Sequence, residues 1–197
     1  MMLKRIGTLV ILLILTLTAV CSAYSSGITE RKQATEESYT HDYSTSMSCD
    51  AMHTPSNIGC EIHKEYTIHK DASTHKWRES VLKYLRIKSH KTEMKKIVYL
   101  PKNVEFITYD DNDKIVSKVI IQNTLKYIPA SKEELLKQAK YPTTFYISNT
   151  EFEQLQEMFH SNNFAKLVLH VYDTESNTYE YPLSWEQMQD IRVVLMS

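Results

Sequence analysis

A β-rich α+β fold, an antiparallel β-sandwich-like core with two or three short helices, follows from three observations on this 197-residue chain. Short segments alternate apolar and polar side chains, which is the period of a half-buried strand. Clusters of Asp, Asn and Ser separate them and supply turns. At three places a Ser or Thr stands three residues ahead of a Glu or Gln, where a helical apolar pattern begins.

Taken in order, residues 60–68 mix apolar and polar positions as a half-exposed strand does. Residues 80–88, with Val81, Leu82, Tyr84, Leu85 and Ile87, read as a second strand by their β-branched and aromatic content. Residues 97–100 read as a third, ended by Pro101, which lacks the ladder donor. Residues 104–109 and 115–121 form a hairpin around the Asp/Asn cluster at 110–113. Val104, Phe106 and Thr108 take one face, Glu105 and Ile107 the other. Ser131 and Glu134 open a helix reaching about Ala139, with Leu135, Leu136 and Ala139 inward, and Pro142 lies beyond it. Residues 143–147 are a strand. Thr150 and Glu153 open a helix whose Phe152, Leu155 and Phe159 make its buried stripe. Residues 167–172 and 179–183 form a second hairpin around a polar turn at 174–177. Ser184 and Gln187 cap a last helix with Trp185, Met188 and Ile191 inward.

Ahead of these elements the chain changes character. Lys4 and Arg5, the apolar run 6–20 and then Cys21, Ser22 and Ala23 have the three parts of a secretory signal, with cleavage expected after Ala23. Fifteen helical residues rise about 22 Å, short of a hydrocarbon core of about 30 Å. A retained anchor and lipidation at Cys21 are the alternatives. Residues 24–48 are nearly free of aliphatic side chains and read as a flexible polar tether. This divides the chain into a signal peptide at 1–23, a tether at 24–48 and one globular β-rich domain at 49–197. The expected location is periplasmic or secreted.

Composition excludes several classes. Of three glycines, Gly7 lies in the leader and Gly27 in the polar stretch, leaving Gly59 for the domain. Phosphate-cradling loops, dinucleotide fingerprints and the nucleophile elbow all need glycines at defined places, so none is expected. The 23 basic and 24 acidic residues form no basic block, which argues against a nucleic-acid footprint or a polybasic membrane patch. No cofactor is implied. No Asn-x-Ser/Thr acceptor occurs, which inclines the reading toward a bacterial exported protein. Loss of Cys21 with the signal leaves Cys49 and Cys60 as a disulfide pair. In the chain-entropy model, closing such a loop contributes about 3 kcal/mol.

Candidate chemistry is sparse. Four of the eight histidines fall between 53 and 75. His63 and His69 share a strand face and, with His75, make an alternative zinc or copper set, although their spacing matches no standard motif. Asp110, Asp111 and Asp113 read as a solvated turn, because an EF-hand loop needs a glycine and a terminal carboxylate that are missing here. Cys60 with His63, or a serine with His170 and Asp173, would be needed for a hydrolase, and nothing in their spacing marks them out. Tyr172, Tyr179 and Tyr181 on the last hairpin are either a packing ladder or a partner surface. Pro182 places that strand at a sheet edge, open to edge pairing.

The order of elements resembles the invasion-associated locus B family of Gram-negative exported proteins. The resemblance is carried by Cys49 and Cys60 around a short loop, Tyr99-Leu100-Pro101 before a hairpin, the 152–159 helix, the 166–183 hairpin and Leu183-Ser184-Trp185 entering a terminal helix. It covers roughly residues 49–195 and implies a sandwich-like exported domain without a defined catalytic site. The chain departs from the family pattern in having Ser48 rather than Trp before the first cysteine, Lys102-Asn103 after Pro101 and no second cysteine pair. The expected function is non-enzymatic binding of another macromolecule, as an envelope, host-interaction or toxin-inhibitor factor with a protein partner and no membrane contact after signal cleavage. A metal-binding protein and a hydrolase are the alternatives.

Overall fold

The computed structural model describes residues 26–53, 56–89, 99–122, 131–138, 141–161 and 163–197. Among the described residues, nine strands form two antiparallel sheets. The first runs, in spatial order, β1 (Ser26–Ala34), β2 (Ser38–Asp50), β3 (Asn57–Lys70), β4 (Trp77–Ser89) and β7 (Thr143–Tyr146). The second runs β6 (Ile115–Gln122), β5 (Pro101–Tyr109), β8 (Lys166–Asp173) and β9 (Thr178–Pro182). Three helices complete the described chain: α1 (Lys132–Gln138), α2 (Asn149–Ser161) and α3 (Trp185–Met196). The architecture is the β-sandwich-like α+β fold that the alternating segments predict.

One core joins both sheets and two of the helices, and strand alternation decides which residues enter it. The first sheet supplies Met47, Cys49, Ile58, Cys60, Ile62, Leu85, Ile87 and Phe145. The second supplies Val104, Phe106, Val119, Ile121, Leu169, Val171, Tyr179 and Tyr181. Helix α2 adds Phe152, Leu155, Met158 and Phe159, and α3 adds Met188, Ile191, Val194 and Leu195. Full burial of such a side chain favours folding by about 1.5–3 kcal/mol. Gln187 is also fully buried. Its Nε2 donates to the Ser48 carbonyl (2.9 Å) and its Oε1 accepts the Ser184 N–H (2.8 Å), fastening the start of α3 to β2.

Three hairpin turns solve the shortage of glycine in the same way. Each is led by an aspartate whose carboxylate accepts backbone N–H groups from the turn. Asp71 takes Ser73 and Thr74, Asp110 takes Asn112 and Lys114, and Asp173 takes Glu175 and Asn177. Each turn also holds one non-glycine residue in the left-handed region: His75 (φ 53°), Asp113 (φ 60°) and Ser176 (φ 68°).

Several expectations are corrected. The segment read as a tether is instead paired over its described length: β1 and β2 form a hairpin from Ser26↔Met47 to Ala34↔Tyr39. Low aliphatic content misled, because Tyr, Thr and Ser suit a sheet whose outer face is polar. Cys49 and Cys60 are free, buried thiols, not a disulfide. The β2–β3 register sets Cys49 opposite Ile58 and Cys60 opposite Met47, a diagonal relation of about 7–8 Å between Cα atoms where a bridge usually needs under about 7 Å. The strand expected before Pro101 begins at Pro101 itself; Tyr99 and Leu100 precede it as buried coil, and residues 97 and 98 lie outside the described residues.

The α2 cap is formed two residues earlier than expected. Ser148 Oγ accepts the Glu151 N–H (3.2 Å), and Glu151 accepts the Ser148 N–H (2.7 Å). The Ser184–Gln187 capping box is as expected. Trp185, however, is 60% exposed, since the buried stripe of α3 starts only at Gln187. The leader at 1–23, Ala139 and the side chains of Leu135 and Leu136 lie outside the described residues.

Candidate interaction face

The outer face of the five-stranded sheet carries an organised group of polar and aromatic side chains. Inward packing of Ile62 and Leu85 forces His63, Tyr84 and their same-face neighbours outward. Register then aligns Ser44, His63, Tyr84 and Tyr146 in one cross-strand row, with Ser46, Glu61, Arg86 and Thr144 in the next but one. His63 and Tyr84 stack with centroids 4.4 Å apart and planes 12° from parallel, and Tyr146 meets Tyr84 edge-on at 6.4 Å.

Both nitrogens of His63 face carboxylates. Nδ1 lies 3.1 Å from Asp42 Oδ1 and Nε2 lies 3.2 Å from Glu61 Oε2, which also meets Arg86 at 3.3 Å. Carboxylate oxygens only accept hydrogen bonds, so a ring nitrogen that bonds to one of them does so as an N–H donor. Burial, with the Asp42 and Glu65 charges, pushes the Tyr84 hydroxyl up to about 12, so it remains an O–H donor at neutral pH. Beside this network lie two shallow depressions. One is lined by Glu65, Leu82, Tyr84, Arg86, Thr144 and Tyr146. The other is bounded by Ser46, Ser48, Glu61, Arg86, Lys88 and Pro142. Tyr146 is 69% and Leu82 44% exposed.

The second sheet has a smaller outer cluster. Glu105, His170 and Glu180 share one row across β5, β8 and β9. His170 Nε2 pairs with the Tyr109 hydroxyl (3.2 Å), while Nδ1 is 3.9 Å from Glu180. Glu105 accepts from Tyr172 (2.9 Å) and pairs with Lys118 (2.8 Å). Burial lowers the His170 pKa; Glu180 and Glu105 partly oppose this and Lys118 adds to it.

The residues singled out by sequence are scattered. His63 and His69 share a face of β3, yet six strand steps put them about 20 Å apart. His75 lies in the following turn, and among the described residues no three His, Cys, Asp or Glu side chains are gathered for a metal. Tyr179 and Tyr181 belong to the core, not to a surface. Tyr179 stacks on Tyr99 at 4.1 Å, and Tyr181 shares hydrogen bonds with Ser56 (2.8 Å) and Tyr99 (2.5 Å). Of the three, Tyr172 alone stands on the outer face, with its hydroxyl on Glu105.

The hydrolase combinations also come apart. Cys60 is inward and His63 outward on the same strand. Asp173 holds its own turn and Tyr179 (3.2 Å) rather than His170. Burial, with the Asp50 charge, pushes the Cys49 thiol up to about 12, and burial likewise raises the Cys60 thiol, so neither is a ready thiolate.

Asp42, Tyr84, Arg86 and Tyr146 escaped the sequence reading. The alternation of residues 80–88 signals that Tyr84 and Arg86 share a face, but nothing local signals that His63 lies opposite Tyr84.

The fold and this face define a β-sandwich-like α+β protein with a polar and aromatic outer sheet surface. Comparison with protein-family models, curated proteins and solved structures finds no match to this chain. Among the described residues, no helix is long and apolar enough to cross a membrane.

Proposed function

We propose that the chain is an exported protein, periplasmic or secreted, that acts without catalysis by binding a protein partner through the outer face of its five-stranded sheet. The observation that carries this reading is the exposed pair Tyr146 and Leu82 beside the Tyr84–His63 stack and Arg86. Aromatic and arginine side chains around a partly desolvated patch are the residue types that dominate binding energy. Export is supported by the basic, apolar and small-residue succession at 1–23. The element order from 49 onward resembles that of the invasion-associated locus B family, which supports reading the chain as a non-catalytic exported domain.

The test is crosslinked co-purification from envelope and medium, followed by mass spectrometry, with wild type and Tyr146→Ala in parallel. A partner recovered with wild type and depleted at least about tenfold with Tyr146→Ala supports the reading. Equal recovery with both, or no partner with either, overturns it. N-terminal sequencing of the exported form should begin at Tyr24, and an intact leader would remove the export half of the proposal.

A further inference from the structure

Strand β4 is longer than the strand that covers its far side. It spans thirteen residues, while β7 pairs only with positions 84–87, followed by the bond from the Ile147 N–H to the Lys83 carbonyl (2.8 Å). Backbone groups along a strand point alternately to its two neighbours. The Lys83 carbonyl points to the β7 side. At the other end the Lys76 carbonyl takes the Asp71 N–H on the β3 side (2.8 Å), which gives the same parity. The N–H and C=O of Trp77, Glu79 and Val81 therefore point away from β3, into the space in line with β7. Among the described residues nothing hydrogen-bonds to them.

Two of the other sheet edges are blunted. The free side of β1 carries Glu30, Arg31 and Lys32 in succession, and β9 is met by the Met52 N–H on the Glu180 carbonyl (2.9 Å). The β4 edge instead exposes apolar side chains on both faces: Trp77 (56%) and Val81 (48%) on one, Leu82 (44%) on the other. A row of alternate unpaired donors and acceptors flanked by such residues fits an extended backbone and no other shape.

We propose that residues 77–82 of β4 bind an extended segment of a partner protein as an added antiparallel strand in line with β7. This rests on the binding function proposed above and names the form of the partner. Charge and apolarity along the edge set its order. Read from its N-terminus, the segment places two adjacent apolar residues opposite Leu82 and Val81, one small polar residue opposite Ser80, a basic residue opposite Glu79 and an acidic residue opposite Arg78.

The probe is a blocked synthetic peptide with the central order Val, Ile, Thr, Lys, Glu, flanked by threonines and followed by fluorescence anisotropy. Binding is expected, with protection of the Glu79 and Val81 amides in hydrogen exchange. Exchanging the Lys and Glu of the peptide should weaken binding about tenfold. Val81→Pro removes an N–H that the β3–β4 ladder does not use, so it should abolish binding while the melting temperature holds. N-methylation of the peptide on the edge facing β4 should abolish binding without altering the protein, whereas methylation on the opposite edge should not.

Unchanged affinity with Val81→Pro or with the methylated peptide, or no amide protection, overturns the proposal. So does a wild-type dimer that Val81→Pro dissolves, which would make the occupant a second copy. Partner capture that survives Val81→Pro but fails with Tyr146→Ala would leave the binding function standing and remove only the added strand.

Discussion

Thr45 lies directly opposite Ile62 across β2 and β3, fully buried, and its Oγ1 is the one buried side-chain oxygen or nitrogen without a hydrogen-bond partner among the described residues. A buried unsatisfied hydroxyl costs about 1–3 kcal/mol. Thr45→Val keeps the shape and the strand preference and removes that cost. Urea unfolding should show a gain of about 1 kcal/mol. A loss would mean that the hydroxyl has a partner.

Gln187 presents the opposite case, with both ends of its buried amide satisfied. Gln187→Leu leaves the Ser48 carbonyl and the Ser184 N–H without their partners and removes half of the α3 capping box. The expected destabilisation is about 2 kcal/mol, measured by chemical denaturation. Ser184→Ala, which removes only the other half, should cost about 1 kcal/mol. Equal costs for the two would contradict the bridging role of Gln187.

His170 should make stability depend on pH. Burial lowers its pKa in the folded chain, against an unfolded value near 6.5. The unfolded chain therefore takes up the proton first. Stability is full above about pH 6.5 and falls as the pH drops toward the folded value. The facing groups are Tyr109, Glu105, Glu180 and Lys118. His170→Gln should flatten the decline between about pH 7 and 5. Superimposable curves for the two proteins would exclude His170 as its source.

The left-handed turn residues separate by what their side chains do. Ser176→Gly relieves a conformation that costs a non-glycine residue about 1–2 kcal/mol, offset in part by the entropy of glycine, for a net gain of about 0.5 kcal/mol. Asp113→Gly gains the same relief but loses the contact with Lys166 (2.5 Å) and should be close to neutral. Paired thermal melts of the two variants decide the point.

The thiols offer a chemical check. Cys49 and Cys60 should both resist alkylation in the native protein and both react in denaturant without reductant, each adding one adduct by mass. A native mass two hydrogens lighter, with no reaction in denaturant, would indicate a bridge instead.

What was legible in the sequence divides by range. Strand alternation and helix caps are local, so both C-terminal hairpins, the 143–147 strand and the box at Ser184 could be read directly. The inward set Val104, Phe106 and Thr108 was readable for the same reason. The candidate face was not, because His63 touches Tyr84 across one register and Asp42 across another. Register depends on pairings far apart in the chain. Residues 26–48 were misread by composition: a strand with Ser, Thr and Tyr on its solvent side lacks the aliphatic alternation that marks a strand, and its inward set of Thr45, Met47 and Cys49 sits only at one end. Cysteine spacing was equally mute about the diagonal that keeps the two sulfurs apart.

The order in which the strands are joined has a bearing on how the chain reaches this state. β1 to β4 follow one another as a meander of hairpins, whereas β7, β8 and α3 close contacts with partners far back in the sequence. During synthesis the meander emerges first and can zip up from local turns. Its inner face, with Met47, Cys60, Ile62 and Leu85, must then wait for the second sheet and for Ile191 and Leu195 of α3. Until they arrive it is a sticky half-sandwich, the state in which aggregation competes with completion. Variants truncated within α3 should therefore be found in the insoluble fraction even though their first sheet is intact.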